Sequence, residues 1–124
     1  CHALDIASVS DLAYHPYSGA IFENLIVAER YKAAANQGKS PELYFWRDSS
    51  GREVDIVDNS SGAPTLWECK SGMTIGSDFF RHLDYIGDIM RVPVERRLLA
   101  YGGSEDQARS AAKVLSWRSA LLYP

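Results

Sequence analysis

The sequence predicts an α/β domain in which helices flank a mixed central sheet. The order of the predicted elements is helix, three strands, helix, strand, and this order is typical of a layered α/β fold. Short turns join the first three strands, so they are expected to be antiparallel, with at least one more strand beside them. The 124 residues, of which 46% are hydrophobic, fit one domain over residues 1–124 and exclude an intrinsically disordered chain.

Each element is predicted from its local pattern. Apolar residues at helical spacing predict the first helix, which Gly38 and Pro41 end. Runs in which apolar and polar residues alternate, or which are rich in aromatic residues, predict the strands. Turns rich in Asp, Asn, Ser and Gly separate these runs. The elements are a helix over residues 20–36, strands over 42–47, 52–58 and 64–71, a helix over 77–90, a strand over 97–101, a helix over 104–112, a strand over 113–117 and a terminal helix or turn.

The charge balance argues against a domain whose only role is to bind the phosphates of nucleic acid. Thirteen Lys and Arg face sixteen Asp and Glu, for a net charge of −3. A nuclease is not excluded, because a carboxylate-lined metal site is itself acidic. Nine basic residues could form a rim for DNA, but their spread favours a scattered, solvated surface: Arg30, Lys32, Lys39, Arg47, Arg52, Arg81, Arg91, Arg96 and Arg97.

The two cysteines and the lack of a membrane segment predict a cytoplasmic, reduced protein. Cys69 is expected in mid-strand and Cys1 at the terminus, so a disulfide is disfavoured. No histidine has zinc-ligand spacing, and His82 is expected to face solvent on its helix. The chain opens on Cys and not on Met, so we expect a fragment of a longer protein. We find no signal-peptide pattern and no apolar run long enough to span a bilayer, so we expect no membrane partner.

The hairpin of the second and third strands brings charged residues together. A turn centred between Ser61 and Gly62 pairs residues whose numbers add to 123, so Asp55 lies opposite Glu68. Lys70 lies two residues further on the same face. Opposed like charges destabilise a sheet, and a divalent cation would compensate them. The alternative is a salt-bridge ladder on a solvated sheet face.

The preceding hairpin predicts which residues share each face. A turn centred between Ser49 and Ser50 places Tyr44 beside Asp55 and Phe45 beside Val54. One face is then apolar: Phe45, Val54, Ile56, Trp67 and Cys69. The other face carries Glu53, Asp55, Glu68 and Lys70, with Tyr44, Trp46, Val57 and Leu66.

These residues resemble a known nuclease pattern. Asp55 followed by Glu68-Cys69-Lys70 is similar to the D…(D/E)xK signature of the PD-(D/E)XK superfamily, whose core is restriction-endonuclease-like. More closely, four segments resemble an uncharacterised domain at the C-terminus of bacterial and archaeal AAA+-type ATPases. They are GAIFEN (19–24), YFWR (44–47), EVD (53–55) and ECKSG (68–72), and the opening CHAL (1–4) and HP (15–16) resemble one branch.

The resemblance implies a metal-dependent nuclease and the roles of its residues. Asp55 and Glu68 would be catalytic and would hold Mg²⁺ or Mn²⁺, with the Cys69 carbonyl and Glu23 as further metal contacts. Lys70 would be the catalytic lysine. The substrate would be nucleic acid, and ATP would bind only to an upstream ATPase domain of the same chain. The alternative is a non-catalytic module that binds nucleic acid or a protein under control of the ATPase; a structural or dimerising domain is a third option.

Overall fold

A computed structural model describes residues 18–47 and 49–124. We name the helices α1 to α3 and the strands β1 to β6 in chain order. They are α1 (Ser18–Asn36), β1 (Leu43–Arg47), β2 (Glu53–Asp58), β3 (Thr65–Lys70), α2 (Arg81–Met90), β4 (Arg97–Tyr101), β5 (Gln107–Ala108), β6 (Lys113–Leu115) and α3 (Trp117–Leu121). Short 3-10 helices, Ser77–Phe80 and Val94–Arg96, precede α2 and β4.

The six strands form one mixed sheet in the order β1-β2-β3-β4-β6-β5. The pairs β1–β2, β2–β3 and β5–β6 are antiparallel, whereas β3–β4 and β4–β6 are parallel. This confirms the predicted α/β class, with three antiparallel-connected strands and further strands beside them, flanked by helices.

Helices cover both faces of the sheet, which therefore has two cores. On one face, α1 and α3 pack on Trp67, Cys69 and Ile56; we call this the α1 face. On the other, α2 packs on Leu66 and Val57; we call this the α2 face. Because β4 lies in the middle of the sheet and is covered on both sides, all five of its residues are buried.

The pairing of β2 with β3 follows the predicted register but stops early. The pairs are Ile56 with Trp67, Val57 with Leu66 and Asp58 with Thr65, whose numbers add to 123 as predicted. The pairing ends at Ile56, one residue before the predicted contact of Asp55 with Glu68. The two strands therefore separate where the acidic residues stand.

The register of β1 on β2 differs from the prediction because β2 contains a bulge. Tyr44 pairs with Val57, and Trp46 pairs with Val54. One residue of β1 between these pairs therefore stands opposite two residues of β2, at positions 55 and 56, which is the arrangement of a β-bulge. The predicted pairing of Tyr44 with Asp55 and of residue 45 with Val54 is wrong, because the extra residue shifts the register.

The bulge also changes the predicted faces. Val54 packs on the α2 face with Val57, whereas Ile56 packs on the α1 face, although strict alternation would put Val54 and Ile56 together. Phe45, predicted on the apolar face of the sheet, is 58% exposed on the edge strand. Leu66 and Val57, predicted on a polar face, are buried under α2.

The predicted helix over residues 104–112 is wrong. The segment contains the short strand β5 and a turn in which the Arg109 N–H donates to the Ala112 carbonyl. Asp106 accepts hydrogen bonds from the Ser116 N–H at 2.8 Å and the Ser119 hydroxyl at 2.7 Å. These bonds to the start of α3 override the helical propensity of the segment, and they lower the pKa of Asp106.

Two arginines proposed for a basic surface rim are buried instead. Arg30 pairs with Asp58 (Nε to Oδ2, 3.0 Å) under the rings of Trp67 and Tyr123. Arg97 donates to Asp88 and to the Val92 carbonyl, each at 2.9 Å. The sequence pattern did not reveal these partners because they lie on other elements.

Cys69 is buried and is a free thiol. Cys1, the segments 1–4 and 15–16 and their predicted features lie outside the described residues. Within residues 18–47 and 49–124, no helix is long and apolar enough to cross a bilayer.

Gly102→Ala is expected to lower the free energy of unfolding by about 1–3 kcal/mol. A Cβ at Gly102 would lie 2.1 Å from the backbone carbonyl oxygen of Ser71, so β3 and β4 would have to separate just beyond Lys70. Urea denaturation measures the change. Gly72→Ala is the matched control, because a Cβ there meets no atom within 4 Å; equal losses in both variants would contradict this account.

Candidate active site

Glu68 and Lys70 are brought together by the alternation of β3. Both share the α2 face with Leu66, whereas Cys69 lies on the α1 face. In the parallel pairing with β4, Glu68 lies beside Leu99 and Lys70 beside Tyr101. Glu68 is only 6% exposed, with the apolar Leu99 as its neighbour on β4.

Asp55 fills the gap where β2 leaves β3. Its Oδ2 accepts a hydrogen bond from the backbone N–H of Cys69 at 2.8 Å. A side chain thus satisfies a strand donor next to the bulge. The Asp55 carboxylate also hydrogen-bonds the side chain of Glu68, so the bulge and the hydrogen bonds together hold the two acids in contact.

The contact of the two acids changes the protonation of Glu68. Burial, first, and then the hydrogen bond and negative charge of Asp55 raise the pKa of Glu68 to about 9, while Lys70 acts in the opposite direction. The raised pKa favours the protonated form of Glu68, which can donate to the Asp55 carboxylate. A cation that replaced this proton would bind between two oxygen ligands.

Glu23 lies on α1, within electrostatic reach of Asp55. Burial raises its pKa, and the charges of Asp55 and Glu53 raise it further. Asp55 is thus the acid whose charge acts on both Glu23 and Glu68. The structure brings Asp55 and Glu68 into direct contact and places Glu23 within electrostatic reach of Asp55.

Lys70 is positioned by an aromatic ring next to the acids. Its Nζ lies 5.0 Å from the centroid of the Phe79 ring, on the 3-10 helix that precedes α2. Its charge lowers the pKa of Glu68, so the amine lies close enough to act on that carboxyl. The carbonyl of Cys69 lies between Glu68 and Lys70 in the chain, but the Cys69 thiol is buried and its pKa is raised by burial.

Two further residues lie near the acids: Glu53, which the sequence placed on the charged face without a role, and His82, which the sequence did not connect with them. The charge of Glu53 raises the pKa of both Glu23 and Glu68. His82, expected to face solvent, instead has its Nδ1 3.2 Å from the Glu53 carbonyl oxygen and 3.4 Å from its nitrogen. The contact joins α2 to the start of β2, 29 residues apart, which a local pattern does not reveal.

The acidic cluster has few ligands for a metal ion. Among the described residues, no three His, Cys, Asp or Glu side chains form a ready metal-holding group. Two carboxylates, Asp55 and Glu68, are in contact, and the main-chain carbonyl of Cys69 is a neutral oxygen donor. Mg²⁺ is commonly held by one or two carboxylates while it keeps several waters, so this donor set fits a hard divalent ion.

The model of one protein family, described as "Domain of unknown function (DUF4143)", matches residues 18–120. The match spans α1 and all six strands, and so includes every site residue discussed above. No curated protein and no solved structure matches the chain.

Proposed function

The chain belongs to the DUF4143 family, and we propose that its domain is a PD-(D/E)XK-type nuclease that hydrolyses phosphodiester bonds of nucleic acid with Mg²⁺ or Mn²⁺. The contact between Asp55 and Glu68 carries the proposal. The two carboxyl groups lie where β2 bulges and leaves β3, and burial together with Asp55 raises the pKa of Glu68. Burying a second carboxyl group against Asp55 costs folding stability unless a proton or a cation neutralises it, and this supports a cation site.

The residue types at the site match the chemistry of the proposal. A divalent ion bound at Asp55 and Glu68 lowers the pKa of water and offsets negative charge on a phosphoryl group under attack. Asp55 is fixed by the Cys69 N–H, so its second oxygen can face a ligand. The Cys69 carbonyl is the further donor that we assign to the ion.

Lys70 and Glu23 complete the proposed site. The Lys70 ammonium lies near Glu68, where it can orient the attacking water or offset charge in the transition state. Glu23 is half-buried beside Asp55 and can accept a hydrogen bond from a water of the site. The side chain of Phe79 limits the positions available to Lys70.

The setting of the domain is also part of the proposal. Its resemblance to C-terminal domains of AAA+-type ATPases supports an ATPase module in the same protein, which would control access to nucleic acid. A free, buried Cys69 is compatible with a cytoplasmic location.

Calorimetric titration with Mn²⁺ tests the metal site. We expect binding to the wild-type protein, and an affinity about tenfold lower or worse for Asp55→Asn, since one of two carboxylate ligands is lost. Asn is chosen because its carbonyl oxygen can still accept from the Cys69 N–H.

Glu95→Gln is the matched control, because Glu95 is an exposed acid on the short helix before β4. It should bind Mn²⁺ as the wild type does. The proposed metal site would be wrong if the wild type showed no heat of binding at millimolar Mn²⁺, or if Asp55→Asn bound Mn²⁺ as tightly as the wild type.

A further inference from the structure

A second pocket lies at the turn end of the β2–β3 hairpin, away from the acids. It encloses about 190 Å³ between the C-terminal part of α1, the hairpin turn and the end of the chain. Its charged lining is Arg30, Lys39, Arg96 and Asp58. We propose that this pocket, which we call the cationic pocket, binds a phosphate group.

Arg30 forms the rigid floor of the cationic pocket. Its side chain is 8% exposed, and Nε pairs with Asp58 at 3.0 Å. Nη1 and Nη2 donate to the carbonyls of Tyr123 (2.6 Å) and Pro124 (3.0 Å). These contacts use three of the five guanidinium N–H donors, so two remain for an oxyanion. The Trp67 ring, 5.2 Å away, helps to hold the group in place.

Arg96 supplies a positive charge with which no acid pairs among the described residues. Its Nε donates to the Pro64 carbonyl at 3.0 Å, and its Nη2 donates to the Ala63 carbonyl. Nη2 also lies 3.4 Å from the Ser61 hydroxyl. All these acceptors are neutral, and within the described part of the chain Nη1 has no hydrogen-bond partner. The guanidinium is therefore pre-oriented with two free donors, the geometry that suits a phosphate.

Lys39 and two hydroxyl groups, those of Ser60 and Thr65, complete the donor set, since the Ser61 hydroxyl already donates to the Ala63 carbonyl. Lys39 is exposed at the rim, and no acid among the residues 18–47 and 49–124 pairs with it. Ser60, Ser61 and Thr65 place hydroxyls in the lining. The Thr65 hydroxyl already accepts from the Trp67 indole N–H at 3.1 Å, which leaves its own proton to donate. Three cationic side chains thus face one acid, Asp58, that Arg30 already neutralises.

The size and place of the cationic pocket narrow its ligand. Its volume is below the roughly 300–1,000 Å³ of pockets for drug-sized molecules, so a single phosphate with a few waters fits. Thr65 and Asp58 are each three residues from the acids of their strand, roughly 10 Å away. The phosphate group could belong to a small metabolite or to a nucleic acid strand, and the pocket does not depend on the carboxylate site.

Calorimetric titration with inorganic phosphate, in EDTA and at low ionic strength, tests this inference. We expect binding by the wild type. Arg96→Gln should weaken it by roughly 10- to 100-fold, because a charged hydrogen-bond donor is lost. Lys39→Gln should weaken it by roughly 2- to 5-fold, the effect of one exposed ion pair. Lys32→Gln, an exposed lysine on α1 paired with Glu29, is the matched control.

The same variants identify the source of the phosphate. If Arg96→Gln weakens the binding of a nucleoside monophosphate but not that of a short single-stranded oligonucleotide, a small molecule is the ligand. If it weakens only the binding of the oligonucleotide, nucleic acid is the ligand. If the Arg96→Gln protein does not fold, the loss of phosphate affinity in Lys39→Gln is the test. No phosphate binding by the wild type, or binding that neither variant weakens, overturns the inference. Because EDTA removes divalent ions, these results stand apart from the nuclease proposal.

Discussion

Lys70→Met should reduce the cleavage of oligonucleotides in Mn²⁺ by about 10²- to 10⁴-fold, the usual contribution of a positioned proton-transfer or charge-stabilising group. The methionine keeps a long apolar side chain against Phe79, so the packing beside the site is retained. Mn²⁺ affinity should change little, because the lysine is a neighbour of Glu68 and not a ligand. Single- and double-stranded substrates are each followed by gel electrophoresis.

Two results of this experiment would decide between an enzyme and a binding module. Lys32→Met, an exposed lysine on α1 paired with Glu29, should cleave like the wild type. If the wild type binds oligonucleotides without cleaving them, the domain is a non-catalytic module. If Lys70→Met cleaves as fast as the wild type, Lys70 has no part in the reaction.

Glu68→Gln should make the metal-free protein more stable at pH 8 while abolishing metal-dependent cleavage. In the folded protein the pKa of Glu68 is raised to about 9, so between its ordinary pKa and that value the folded state holds a proton that the unfolded state has lost. Stability from this group is complete at low pH and is lost as the pH rises. The free energy of unfolding should therefore fall between pH 5 and pH 8, by on the order of 1 kcal/mol per pH unit. Glutamine stays neutral and can still donate to Asp55.

Urea denaturation of wild type and Glu68→Gln from pH 5 to pH 8 measures this difference directly. The difference in free energy of unfolding between the two proteins should increase with pH. Mn²⁺ should reduce this difference, because it can replace the proton on wild-type Glu68. Glu95→Gln, at an exposed position, should run parallel to the wild type. Parallel curves for Glu68→Gln would mean that Glu68 is ionised in the folded protein, contrary to its raised pKa.

Local patterns were sufficient for most of the fold. The strand over 97–101 is observed with those bounds, and the β2–β3 register follows from the turn at Ser61 and Gly62. Both depend on residues close in the chain, whose side-chain alternation and turn preferences act locally. The helix predicted over 104–112 failed because bonds from Asp106 to Ser116 and Ser119 outweigh a weak propensity.

The candidate site was predicted only in its composition. The sequence alone predicted Asp55, Glu68 and Lys70 as site residues, because the D…ExK spacing is readable without coordinates, and the family resemblance added Glu23. Their arrangement depended on the tertiary structure: the bulge in β2 brings Asp55 to the Cys69 N–H and to Glu68, and burial under α2 raises the pKa of Glu68. A bulge and a buried carboxyl group arise from packing between segments that are distant in the chain. The spacing of residues in the sequence does not determine how deeply this packing buries a charged group.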